Sequence, residues 1–105
     1  MSVPLPTLDV SDIELRGQFY TSASPVQAWG TVAGNRFYFR ARHDHWSFSV
    51  AESGDIDPVD IESPTQGFYR EENYGTKFDA SYMPLEKAAE IIERCAREYV
   101  ESKKG

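Results

Sequence analysis

Two histidines flank a carboxylate at His43-Asp44-His45, and the chain holds no other histidine. Imidazoles beside a carboxylate are the raw material of metal sites and acid–base pairs. Alternate residues around a hairpin tip point in divergent directions, however, and a third ligand would have to come from the acidic stretch downstream. An exposed polar turn in which Asp44 accepts hydrogen bonds from nearby backbone accounts for the same spacing without chemistry. Asp55, Asp57 and Asp60 are spaced loosely like a divalent-cation loop, yet the glycine turn and terminal bidentate glutamate of an EF-hand are missing. Cys95 falls on the apolar stripe of a C-terminal helix, near the end where the helix dipole opposes a thiolate, which makes it a buried, inert thiol.

The motifs that name common enzymes are also missing. There is no Gly-x-Gly-x-x-Gly, no phosphate loop ending in Gly-Lys-Ser/Thr, no Gly-x-Ser-x-Gly elbow and no Cys-x-x-Cys. The sequence therefore points to no catalytic residue, no cofactor and no metal. An enzyme using His43 or His45 with a loop carboxylate is the least supported reading, because no pocket is evident.

The residues with the clearest collective chemistry lie between Gln27 and Val50. With Gly34-Asn35 and His43-Asp44 as two-residue turns, every large apolar side chain of three consecutive strands falls on one face. Across the first turn Val32 then opposes Phe37, Gly30 opposes Phe39 and Ala28 opposes Ala41. Across the second, Ala41 meets Trp46, Phe39 meets Phe48 and Phe37 meets Val50. The opposite face collects Trp29, Thr31, Tyr38, Arg40, Arg42, His45, Ser47 and Ser49, with Trp29 across from Arg40. Ile13 to Tyr20 alternates in the same way and adds Arg16, Gln18 and Tyr20 to that face, with Ser22 to Pro25 as the connecting turn.

These residues need a scaffold, and the sequence supplies an α+β one. Four strands near 13–20, 26–33, 36–42 and 45–51 form an antiparallel meander, and Phe68 to Glu71 offers a fifth, edge strand. Pro84 opens a helix over about 84–102, with Glu86 near its positive end. Leu85, Ala88, Ala89, Ile92, Cys95, Ala96, Tyr99 and Val100 recur at helical spacing as one apolar stripe. Glu90 with Arg94 and Glu93 with Arg97 are spaced as surface ion pairs. Such a helix is roughly 28 Å long, against roughly 19 Å for four strands, so it can cross the whole apolar face. The polar face is then left uncovered. Phe39, Phe48, Ile92 and Leu85 are expected to be among the most buried residues.

At 105 residues the chain fits one domain. Residues 1–11, with Pro4 and Pro6, read as an extended arm, and residues 12–105 as a single α+β domain that includes an acidic loop over 51–66. A single cysteine excludes an internal disulfide. The start of the chain lacks the basic and apolar regions of a secretory signal, and no apolar run approaches a membrane span, so a cytoplasmic protein is expected.

Charge is unevenly placed. The net value is -6, but residues 16–50 carry Arg16, Arg36, Arg40 and Arg42 against Asp44 alone. Overall acidity disfavours duplex nucleic acid, which requires a strong positive field. A local basic, aromatic face suits an acidic protein surface. The leading expectation is a small non-enzymatic protein-binding module, of the accessory or inhibitor type, using Trp29, Tyr38, Arg40, Arg42, Arg16 and Tyr20. The alternative is a binder of single-stranded nucleic acid or an anionic small molecule on the same face, with bases stacking on Trp29 and Tyr38.

Overall fold

A computed structural model describes residues 7–20, 26–52, 54–63, 65, 67–76, 80 and 83–104. The fold is α+β: an open antiparallel sheet of six strands, each paired with its sequence neighbours, and one C-terminal helix. The strands are β1 (Thr7–Val10), β2 (Leu15–Phe19), β3 (Val26–Val32), β4 (Asn35–Arg42), β5 (His45–Ala51) and β6 (Phe68–Asn73), followed by α1 (Leu85–Lys104). The sheet therefore exceeds the expected four or five strands by β1. Thr7-Leu8-Asp9-Val10 alternates, Leu8 is buried, and pairing with β2 gives the segment a partner that an isolated arm would lack. Residues 1–6 of the expected arm and the expected turn over Ser22–Pro25 lie outside the described residues, as do Phe78 and Tyr82.

The second hairpin has the expected register, with Ala41 opposite Trp46, Phe39 opposite Phe48 and Phe37 opposite Val50. The first hairpin is shifted by two residues. Its turn is Ala33-Gly34, both at positive φ (51° and 83°), and Gly30 opposes Phe37, Ala28 opposes Phe39 and Val26 opposes Ala41. Faces are preserved, because side chains alternate with period two.

Two contacts explain the shift. Asn35, freed from the turn, begins β4 and donates from Nδ2 to the buried Tyr99 hydroxyl at 2.8 Å. Phe37 meanwhile lies over the Gly17–Gly30 pair of β2 and β3, where a Cβ on Gly17 would come within 2.8 Å of its ring. A Cβ on Gly30 would sit 2.0 Å from the Arg16 carbonyl oxygen, so the two strands approach at a distance that only glycine permits.

α1 closes the other side of this core. Ala88, Ile91, Ile92, Cys95, Ala96 and Tyr99 are buried against Leu15, Ala28, Phe37, Phe39 and Phe48, while Leu85, at the first helical turn, is half-buried rather than among the most buried residues. Phe48, Phe68 and Tyr99 form a chain of edge-on ring contacts at 6.2 and 5.2 Å. Arg97 pairs with Glu93 as spaced, and also with Asp12 at 2.8 Å. Arg94 does not take up Glu90. It reaches Glu72 on β6 at 3.1 Å, and Glu90 lies against Lys87. Arg94 is thus taken by a partner on the sheet, and Glu90 by a neighbour one turn back on the helix.

Candidate functional site

The face away from α1 is built by strand alternation alone. Its central row runs Gln18, Trp29, Tyr38, Ser49 and Tyr69, one residue from each of β2 to β6. A neighbouring row runs Gln27, Arg40, Ser47 and Glu71. Trp29 is therefore paired with Tyr38 and not with Arg40, a direct result of the two-residue shift. Tyr20, at the end of β2, turns its ring onto Trp29 with centroids 4.6 Å apart and planes tilted by 52°. Both rings face solvent: Tyr20 is 64% exposed and Trp29 39%.

The expected acidic loop does not leave this face uncovered. Residues 54–62 fold back over β4 and β5 as a strap. Ser49 Oγ, fully buried, donates to the Pro58 carbonyl at 2.7 Å, and Arg36 donates to the Ile56 carbonyl at 2.7 Å. Ile61, within the strap, is buried. The acids face outward, and Asp57 caps a turn of 3-10 helix over Pro58–Asp60 by accepting from the Val59 amide at 3.0 Å. The cause is composition. Ile56, Pro58, Val59 and Ile61 are interleaved with the carboxylates, and Pro58 and Ile61 are the two that turn in and are buried.

The strap divides the face into two depressions. One, of about 390 Å³, is lined by Tyr20, Trp29, Tyr38 and Phe37 from the sheet side and by Asp57, Pro58 and Val59 from the strap, with Arg36 at its margin. The other, of about 250 Å³, is polar and includes Arg40, His45, Ser47, Tyr69, Glu62 and Glu71. Tyr38 and Val59 stand between them. The Tyr38 hydroxyl donates to Gln27 at 2.8 Å, and its pKa is raised, chiefly by burial. The Tyr69 hydroxyl donates to the Glu71 carboxylate, and burial together with that carboxylate pushes its pKa up to about 12.

The structure thus brings Tyr20, Trp29 and Tyr38 together at one depression and places Arg40 at the next. Arg16, opposite Thr31 and Asp9, and Arg42, opposite His45, are exposed at the rims and line neither. Arg36, Pro58 and Val59 were missed by the sequence reading. Arg36 carried a legible signal, since it alternates with Tyr38 and Arg40 on one strand. The strap residues carried a fainter one in their apolar spacing.

Cations on the two faces are treated differently. On the helix side Arg70 pairs with Glu98, Arg94 with Glu72, Arg97 with Asp12, and Lys103 with Glu52. On the open face, Arg16, Arg40 and Arg42 form no ion pair among the described residues. At the hairpin tip, His45 Nδ1 contacts Asp44 at 3.2 Å, and the His43 and Asp44 carbonyls accept from the Ala80 and Tyr74 amides. The tip is a clamped turn, and no group of three or more metal-ligating side chains occurs among the described residues. Cys95 is buried, and desolvation pushes its pKa up to about 12.

No protein-family model, curated protein or solved structure matches the chain. Among the described residues no helix is long and apolar enough to cross a membrane.

Proposed function

We propose that the chain is a small non-enzymatic protein-binding module, of the accessory or inhibitor type, that engages its partner through the open face of the sheet. The observation that carries this reading is the contrast between faces. On the helix side Arg70, Arg94, Arg97 and Lys103 are matched with carboxylates, whereas Arg40, in the depression next to the exposed aromatic rings, and Arg16 and Arg42, at the rims of the face, have no ion partners among the described residues. The strap enlarges the apolar part, since Val59 is 54% exposed and Ile56 38%. Aromatic and arginine side chains on a rigid, partly apolar patch are the composition that concentrates binding energy in protein interfaces. Arginines that lack an ion pair among the described residues favour a partner with carboxylates and weaken the complex as salt rises.

A second reading, binding of single-stranded nucleic acid or an anionic small molecule, is favoured by the solvent-facing Tyr20–Trp29 pair, on which a base could stack. It is weighed down by Asp57, Glu62 and Glu71, which line the same depressions and repel a run of phosphates more strongly than a single carboxylate. The discriminating experiment is cross-linking and capture from the native host with wild type, Trp29→Ala and Arg40→Glu in parallel. A specific protein partner lost with both variants supports the reading. A partner retained by both, or recovery of nucleic acid in place of protein, refutes it.

A further inference from the structure

We propose that the segment recognised on the open face is extended and proline-bearing, with a carboxylate two or three residues from the proline. This inference rests on the protein-binding reading and specifies the partner's chemistry. Three observations lead to it, each concerning what a bound chain could do at this place.

First, the site lies in the interior of the sheet. β3 and β4 are hydrogen-bonded to neighbours on both sides, so no backbone edge is available and a partner cannot be held as an added strand. Recognition has to pass through side chains.

Second, the larger depression is walled by rings. Tyr20, Trp29 and Tyr38 stand on one side, Pro58 and Val59 on the other, and the volume of about 390 Å³ admits one or two compact apolar residues. A pyrrolidine ring packs flat on an aromatic face and brings little conformational entropy to lose. The Trp29 indole N–H and the Tyr20 hydroxyl make no hydrogen bond with other described residues, while the Tyr38 hydroxyl is already engaged by Gln27 and Arg40. Two donors beside an aromatic wall suit a polyproline-type segment, whose carbonyl oxygens have no internal partners, and not a helix, whose carbonyls are used internally.

Third, the charges fix a spacing. Arg40 is two residues beyond Tyr38 on β4, so it lies on the same face about 7 Å along the strand. A polyproline-type chain rises about 3.1 Å per residue, so where it runs along β4 and over the ridge of Tyr38 and Val59, a proline at the rings puts the residue two or three positions away beside Arg40. There a planar guanidinium can hold a carboxylate by two parallel hydrogen bonds. Glu62 and Glu71 share that second depression and Asp57 the first, which disfavours an acidic run and leaves room for one carboxylate only, directly on Arg40.

The test is selection of displayed random decapeptides on the wild-type protein, followed by affinity measurement on synthetic copies of the enriched sequences. Enrichment of proline with Asp or Glu two or three residues away is expected. Replacing that acid by its amide should weaken binding about tenfold in wild type and have little effect in Arg40→Gln, the pattern of a direct charge-assisted contact. Tyr20→Ala and Trp29→Ala should each lower affinity at least about tenfold for the proline-bearing peptide. Thermal melts of all variants separate lost binding from lost folding, and Tyr20→Ala, at the most exposed ring, serves if Trp29→Ala does not fold. No enrichment, or enrichment without proline, overturns the inference. Proline-free binders still lost in Trp29→Ala and Arg40→Gln overturn it while leaving the protein-binding face intact. Peptides indifferent to every variant, or displaced from the rings by a ten-nucleotide oligothymidylate that binds more tightly, overturn both.

Discussion

Asn35 Nδ2 donates to the Tyr99 hydroxyl across 2.8 Å, and this hydrogen bond joins the first residue of β4 to the last turns of α1. It links residues 64 positions apart and accompanies the register that places Tyr38, and not Arg40, beside Trp29. Asn35→Leu removes this donor and leaves the Tyr99 hydroxyl with Glu52 alone, at a cost of about 1 kcal/mol. Adding Tyr99→Phe should recover much of that loss, because both polar groups are then gone. Denaturant titration of the two single variants and the double variant checks this, and additive losses would show that the bond is not the coupling element.

Gly30 should tolerate no side chain. A Cβ there would lie 2.0 Å from the Arg16 carbonyl oxygen, in the backbone of the adjoining strand. Gly30→Ala is expected to cost at least about 1–3 kcal/mol, lowering the Tm by roughly 4–8 °C per kcal/mol. Gly54→Ala, where the new methyl meets open space, is the matched control and should melt like wild type.

The strap depends on Ser49. Its buried hydroxyl donates to the Pro58 carbonyl, and Ser49→Ala leaves that carbonyl without this donor. A loss of about 1–2 kcal/mol is expected, concentrated in the strap. Hydrogen exchange should accelerate over residues 54–62 with β4 and β5 unchanged. Uniform acceleration would mean that the strap is not a separate opening unit.

Stability should decline at alkaline pH. Cys95 is raised from its ordinary 9.0 to about 12 by burial, and Tyr69 from 10.0 to about 12 by burial and the Glu71 carboxylate. The unfolded chain therefore gives up these protons first. Their stabilising contribution is complete below pH 9 for the thiol and below pH 10 for the phenol, and is lost as pH climbs to about 12. Tm measured from pH 8 to 12 should fall, and Cys95→Ala should flatten the start of that fall. The native thiol should also resist thiol-specific reagents at pH 8, since its thiolate fraction is negligible.

Arg40→Glu should abolish partner binding and leave the Tm within a few degrees of wild type, because the side chain is exposed and makes no ion pair among the described residues. Isothermal titration with a purified partner and a thermal melt check the two halves separately. Unfolding by Arg40→Glu would refute the assignment of this residue to an open face.

Sequence alone determined the faces. Period-two alternation over Ile13–Tyr20 and Gln27–Val50 assigned Phe37, Phe39, Trp46 and Phe48 to the core and Trp29, Tyr38 and Arg40 to the other side, and helical periodicity assigned Ala88, Ile92, Cys95 and Tyr99 to the covering stripe. These signals are local, and neighbours along the chain carry them. The His43-Asp44 turn was legible for the same reason. Pairing across the first turn was not, since registers two residues apart place identical side chains on identical faces. Its choice rests on Asn35 reaching Tyr99 and on Phe37 meeting Gly17 and Gly30, contacts between distant segments. The strap was hidden likewise: Pro58 and Ile61 acquire a surface to cover only once β4 and β5 are assembled, and Ser49 and Arg36 then supply the donors that hold the loop down. Alternation decided which side chains share the candidate site; tertiary contacts decided which of them touch, because burial and hydrogen-bond satisfaction are settled between elements and not within them.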